Sequence, residues 1–336
     1  MARKALIIAL GVMLVAAAAS VAANKTGTAG AQQLRVPVGT RGVGMAGSVV
    51  ADAVGPEALF WNPAGAAGAL GTEVCFTYKS YIADMTVTYA AITSQFAYGT
   101  IGVSAKILSL GDIYVTTTRD WDGTGEVYSV NLPVLGLTYS NMITDRVALG
   151  ATVMYLSEAV MQSRAQGMAF DFGFQYVPGW RTLKFGMVMK NYGPKMTYSG
   201  PDFEASTLVP GDDPESANRT VALTSAGFEM PSDFQFGATY DFELGVNGKT
   251  TVGAVFQSNN FSEDEYRFGA EYVLGERLCV RAGYVLCDQD KYIYGPTLGF
   301  GANFNLGRVK ASLDYSHTFV SNYFDDIPEV SMRFGL

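Results

Sequence analysis

Few residues of this chain have the types and spacing that do chemistry. One histidine is present, His317. Acyl transfer or ester hydrolysis needs a histidine within reach of a nucleophile, and Ser316 and Ser321 are its neighbours in sequence. In an extended chain Ser316 points to the face opposite His317, so His317 reads as an interface or loop residue and no catalytic residue is assigned. Cys279 and Cys287 fall in one expected strand, where eight residues at about 3.3 Å each put them some 26 Å apart, beyond bridging distance. Whether Cys75 pairs with either is open. No Cys/His spacing suits zinc, and no metal or cofactor is expected. Gly42, Gly44 and Gly47 form a GxGxxG. A dinucleotide site needs a strand before that motif and a helix then a parallel strand after it. Neither pattern is there, so the glycines read as places where backbones pack closely.

The elements that would position these residues are more legible. From about residue 73 onward the hydrophobic period is two. Phe170, Phe172, Phe174 and Tyr176 alternate with Asp171, Gly173 and Gln175; Leu278, Val280, Ala282, Tyr284 and Leu286 alternate with Cys279, Arg281 and Gly283. One face is aromatic and aliphatic, while the other holds Gly, amides and isolated charges such as Asp241, Glu243, Arg267, Glu271, Lys310 and Asp314. Such alternation marks strands. Fourteen are expected, over about 73–80, 85–94, 100–109, 127–140, 145–156, 168–177, 181–190, 233–244, 250–258, 264–274, 277–287, 293–305, 308–317 and 328–336. Short turns alternate with longer polar connections at 110–126, 157–166, 191–232, 258–263, 287–292 and 318–326. That sorting of loops is the habit of transmembrane barrels. Pro133 interrupts the fourth strand and predicts a kink or an opening in the wall, because proline donates no ladder bond. Tyr78, Tyr155, Tyr176, Tyr240, Tyr272, Tyr284 and Tyr315 are expected to form interfacial girdles.

Composition agrees. Charged residues are 16% of the chain, against roughly 25% in soluble domains, and there are 38 Gly, 20 Phe and 19 Tyr. Mean hydropathy is +0.15, yet no apolar run beyond residue 23 reaches the roughly 18 residues of a membrane helix. Arg3 and Lys4, an apolar stretch from Ala5 to Ala18 and small residues at 19–23 read as a secretory signal peptide over 1–23. Export to the bacterial outer membrane, with lipid around the barrel, follows. The net charge of −8 and the lack of basic clusters argue against nucleic acid as a partner.

Residues 24–72 do not alternate. Leu34 to Leu70 is rich in Gly and Ala and reads as a short helix-turn-helix, so that 24–72 is expected to plug the barrel formed by 73–336. The stretch Arg41 to Gly65, with Gly42, Gly44, Gly47 and Asp52 and ending Trp61-Asn62-Pro63-Ala64-Gly65, resembles the N-terminal motif of the PorV/PorQ family, which is similar to the FadL-type fatty-acid transporters. The resemblance implies an all-β fold: a 14-stranded antiparallel transmembrane β-barrel with a small N-terminal plug. Four functions are open. The FadL side of the resemblance implies passive transport of a hydrophobic or amphipathic small molecule. The PorV side implies a type IX secretion component that binds secreted protein cargo and other secretion-system proteins. An outer-membrane lipid enzyme or a general porin would be other uses of such a barrel. A plug argues against an open pore.

Overall fold

The computed structural model describes residues 29–207, 217–244, 248–287, 292–307, 309–321 and 324–336; the expected signal peptide, together with Pro210 and Pro214 of the long connection, lies outside them. The strands are β1 (Thr72–Ser80), β2 (Thr86–Phe96), β3 (Gly99–Tyr114), β4 (Val127–Thr144), β5 (Val147–Val160), β6 (Ser163–Tyr176), β7 (Lys184–Tyr192), β8 (Glu204–Thr207), β9 (Arg219–Ala222), β10 (Asp233–Leu244), β11 (Gly248–Asn259), β12 (Glu265–Leu274), β13 (Leu278–Leu286), β14 (Tyr294–Leu306), β15 (Val309–Val320) and β16 (Ile327–Gly335). Fourteen of them close an antiparallel barrel in which each strand pairs with its neighbours in sequence; β8 and β9 form a separate hairpin inside the connection from β7 to β10. Closure is made by β1 against β16, from Glu73↔Gly335 to Lys79↔Glu329. Among the described residues no helix is long and apolar enough to cross a membrane.

The period of two becomes two faces. On β1, Phe76 and Tyr78 are exposed outside while Cys75, Thr77 and Lys79 are buried inside. The same parity buries Asp171, Glu271, Arg281 and Asp314 within the barrel. The outer belt of aromatic and aliphatic side chains suits hydrocarbon, and closure pairs every wall strand with a neighbour on each side over at least part of its length.

The connections sort into two ends, with one exception. The expected long connection over 157–166 is a tight hairpin: β5 continues to Val160, β6 starts at Ser163, and the turn is Met161 and Gln162. Ser157, Glu158, Ser163, Arg164 and Gln166 are polar because the hairpin rises beyond the apolar belt, not because it stops being a strand. For the same reason β3 runs on to Tyr114.

The expected helix-turn-helix is also corrected. Residues 32–68 break into five short helical segments, Gln32–Leu34, Thr40–Gly44, Gly55–Glu57, Ala58–Trp61 and Pro63–Gly68. Gly47 (φ 80°) and Gly55 (φ 64°) take left-handed turns, and Pro56 and Pro63 each restart the chain near a helix N-terminus, where proline is tolerated and cannot extend the previous helix.

Candidate functional site

The inner segment sits against the wall backbone to backbone. A Cβ at Gly283 of β13 would lie 2.5 Å from Ala46 N, one at Gly186 of β7 2.4 Å from Val50 O, and one at Gly173 of β6 2.1 Å from Asn62 Oδ1. Gly173 and Gly283 belong to the polar face read from sequence. They leave the space that a second layer of backbone occupies.

Asn62 is fully buried and joins the two layers. Its Nδ2 donates to Val50 O (2.8 Å) and to Phe174 O of β6 (3.1 Å). Its Oδ1 accepts from Ala64 N (3.2 Å), capping the turn that Pro63 begins. Ala64 O in turn accepts from Ser140 Oγ of β4 (2.9 Å). Gly65 lies so close to Ala53 O that a Cβ would be 1.9 Å from it. Trp61 is buried, edge-on to Phe60 with centroids 5.1 Å apart, and its indole fills the space over Gly42 and Gly47. Gly44 O accepts from Thr297 Oγ1 of β14 (3.1 Å). Asn62, Ala64 and Gly44 thus tie the inner segment to the wall, while Gly42, Trp61 and Gly65 pack within the segment.

Asp52 belongs to an ionic cluster that sequence reasoning saw only in part. Arg41 Nη2 lies 2.8 Å from Asp52 Oδ2 and 3.0 Å from Glu271 Oε1 of β12. Arg281 of β13 joins Glu271 (2.6 Å) to Asp314 of β15 (2.6 Å). The inner segment is held higher up as well. Lys79 pairs with Glu329 (2.8 Å) and donates to Pro37 O, Gly39 N donates to Glu329 Oε1 (2.8 Å), and Lys106 Nζ donates to Leu34 O (3.3 Å) and Val36 O (3.2 Å). The signal for Arg41 was a lone charge in a Gly/Ala run; no sequence signal identifies its partners.

Above the inner segment, toward the long-loop end, lies a cavity of about 870 Å³. Its floor includes Val43, Gly47, Phe60 and Trp61; Ile82, Met85, Leu108, Leu110, Val130, Leu132 and Ile327 give it apolar walls, and Tyr81, Tyr198, Tyr292 and Tyr294 line it nearer the mouth. Lys190, Asp233, Gln235, Gln257, Glu265 and Arg267 make one side polar. A second, small cavity of about 30 Å³ lies beyond Phe60 and Leu34 and is lined by Lys106, Lys190, Val134 and Met154.

The wall beside this cavity is split. The β4–β5 ladder starts at Val134↔Leu156. Residues 127–133 of β4 pair with β3 alone, and residues 157–160 of β5 with β6 alone. Pro133 stands at the root of the split. It stays in register with Ile107 of β3, and the bulge in that ladder lies further on, between Ser109 and Asp112; what ends beside Pro133 is the pairing on its other edge. Leu132, Val130, Glu158 and Val160 border the split and line the cavity. From inside, Leu34 packs with Val134 and Leu156 over its root.

The histidine stands apart. His317 Nε2 lies 3.0 Å from Asp326 Oδ2, and Nδ1 3.1 Å from Tyr315 Oη. Ser316 points into the barrel and is fully buried, and Ser321 Oγ donates to Ile293 O, so no serine meets the imidazole. Cys75 and Cys279 are free thiols, and no disulfide joins the three cysteines.

No family model and no curated protein matches the sequence. Solved structures do match the fold. The P. putida toluene transporter TodX superposes with a TM-score of 0.54 at 12% identity, covering 88% of this chain and 96% of its own. The CymD monoaromatic hydrocarbon channel gives 0.53 at 13% identity, covering 89% and 97%. A Pseudomonas aeruginosa FadL homologue gives 0.53 at 13% identity, with the same coverage. The fold is that of the FadL-type channels. At this identity the likeness is one of architecture alone.

Proposed function

We propose that this chain is a bacterial outer-membrane channel, FadL-like, that passes a hydrophobic or amphipathic small molecule without an energy source. Residues 1–23 direct export, 24–72 form the plug and 73–336 the barrel. The ligand enters between the long connections, occupies the cavity above the plug and leaves sideways between β4 and β5 into the surrounding lipid. The observation that carries this reading is the meeting of cavity and split. Leu132 and Glu158 line the cavity and would be ladder partners if the pairing at Val134↔Leu156 continued two residues further. A route straight down would instead have to break the Asn62 and Arg41 bonds. The motif that resembles that of PorV/PorQ proteins does not argue for a secretion partner, because Trp61, Asn62 and Ala64 are buried within the barrel.

The test is a cross-link. In a chain with Cys75, Cys279 and Cys287 replaced by Ala, Leu132→Cys and Glu158→Cys are bridged with a short cleavable reagent. Uptake of a hydrophobic solute is expected to stop on bridging and return on cleavage. Uptake that continues with the seam bridged would remove the lateral exit.

A further inference from the structure

The cations that line the cavity are Arg35, Lys79, Lys190 and Arg267. Three of them face oxygens. Arg35 has Ser262 Oγ (3.1 Å) and Glu265 (3.8 Å), Lys79 has Glu329 and Pro37 O, and Arg267 has Glu265 (2.8 Å). Lys190 is different. It is 5% exposed, it lines both cavities, and among the described residues its Nζ has no hydrogen bond and no carboxylate within ion-pair distance. Two carboxylates are near, each with one oxygen in a described hydrogen bond. Asp233, its ladder partner, accepts from Gln235 Nε2 (2.8 Å), and Asp171 accepts from Asn191 N (2.7 Å). The amino group lies instead 3.7 Å from the centre of the Phe60 ring and 5.9 Å from that of Trp61.

The Lys190 amino group borders the cavity without a protein oxygen partner among the described residues, and a cation–π contact offsets only part of its desolvation cost. An acceptor delivered through the cavity would complete it. The space around that acceptor is lined by rings: Phe60 and Trp61 below, Tyr81, Tyr198, Tyr292 and Tyr294 nearer the mouth. Rings gain edge and face contacts from an aromatic guest that an alkyl chain does not supply. The carboxylates on the cavity wall limit the charge a guest can carry; Glu158 takes the Tyr198 hydroxyl at 2.5 Å, and Glu265 takes Arg267.

We propose that the preferred ligand is an aromatic ring bearing one anionic oxygen group, a carboxylate or phenolate, with that oxygen on Lys190 Nζ and the ring against Phe60 and Trp61. This rests on the transport reading and narrows its substrate class. Lys190 is the residue that sets the specificity.

The full-length chain in lipid nanodiscs would be titrated calorimetrically with 4-ethylbenzoate, ethylbenzene and octanoate. The native chain should bind 4-ethylbenzoate at least about tenfold more tightly than either of the others, as one charged hydrogen bond implies. Lys190→Met should abolish the advantage over ethylbenzene, and Lys190→Arg should keep it. Equal binding of ethylbenzene, equal binding of octanoate, or an advantage that survives Lys190→Met would each overturn the proposal. The native comparison decides even where Lys190→Met fails to fold. Ethylbenzene entry into vesicles is measured alongside. If the solute crosses through the barrel but 4-ethylbenzoate has no advantage, transport stands and the ligand class falls. If ethylbenzene does not cross, transport itself fails.

Discussion

Arg41→Met should loosen the inner segment without opening the barrel. Arg41 is the sole ionic link between Asp52 of that segment and Glu271 of the wall among the described residues, with contacts of 2.8 and 3.0 Å. Removing one member of a buried pair costs roughly 3–5 kcal/mol, because the charge left behind is neither solvated nor paired. The lower figure applies here, since Glu271 keeps Arg281 at 2.6 Å and Asp52 alone is stranded. About 3 kcal/mol is roughly a hundredfold in a local opening equilibrium. Amide exchange read by mass spectrometry over residues 40–69 should therefore quicken by about two orders of magnitude, while β2 to β5 keep their protection. Adding Asp52→Asn should recover part of the loss, since the stranded charge goes with it. Unchanged exchange over 40–69, or equal quickening in the wall strands, would refute the claim that this ion pair holds the segment in place.

Three further outcomes follow from the same geometry. Asn62→Ala removes the donors to Val50 O and Phe174 O and the cap on Ala64 N; at about 1 kcal/mol per bond it should cost roughly 2–4 kcal/mol, read by the same exchange experiment. Gly173→Val places a side chain where Asn62 Oδ1 now lies and should lower the thermal midpoint by an amount equivalent to roughly 1–3 kcal/mol of overpacking; a midpoint equal to the native one would show that the segment shifts freely. At the outer rim, the Val320 N–H and then His317 hold the Asp326 carboxyl below its ordinary value. A lowered carboxylate pKa gives stability that is complete above the unfolded value of about 4 and is lost as pH falls through the folded one. Protection of the Val320 amide should thus persist to about pH 4 and fall below it; loss at pH 6 would contradict this assignment.

Much of the barrel was legible because lipid and lumen impose opposite chemistry on alternate residues. The expected strand over 233–244 coincides with β10, and most other strands lie within a few residues of their expected places. Where strands leave the membrane the rule stops working. Ser157 and Arg164 look like loop residues because the hairpin rises beyond the apolar belt, and Glu158 because it faces the cavity, yet their backbones remain paired. The inner segment was legible as compact and rich in small residues, but not as five short turns, since each break depends on a local φ that Gly47 and Gly55 permit. The motif residues Trp61 to Gly65 were singled out by a resemblance to the PorV/PorQ motif, and their seating on wall glycines explains why both layers need small side chains. Lys190 and the split beside Pro133 were not legible as one site. A lysine on a lumen parity looks like any other until the fold shows which oxygens are missing around it.

The most direct measurement is permeation by purified barrel in planar bilayers and vesicles, with a hydrophobic solute such as ethylbenzene and a hydrophilic one of similar size followed in parallel with ionic current. Faster entry of the hydrophobic solute alone is expected, with little steady current, if the inner segment acts as the proposed plug below the cavity. A large steady current, or equal acceleration of both solutes, would contradict it.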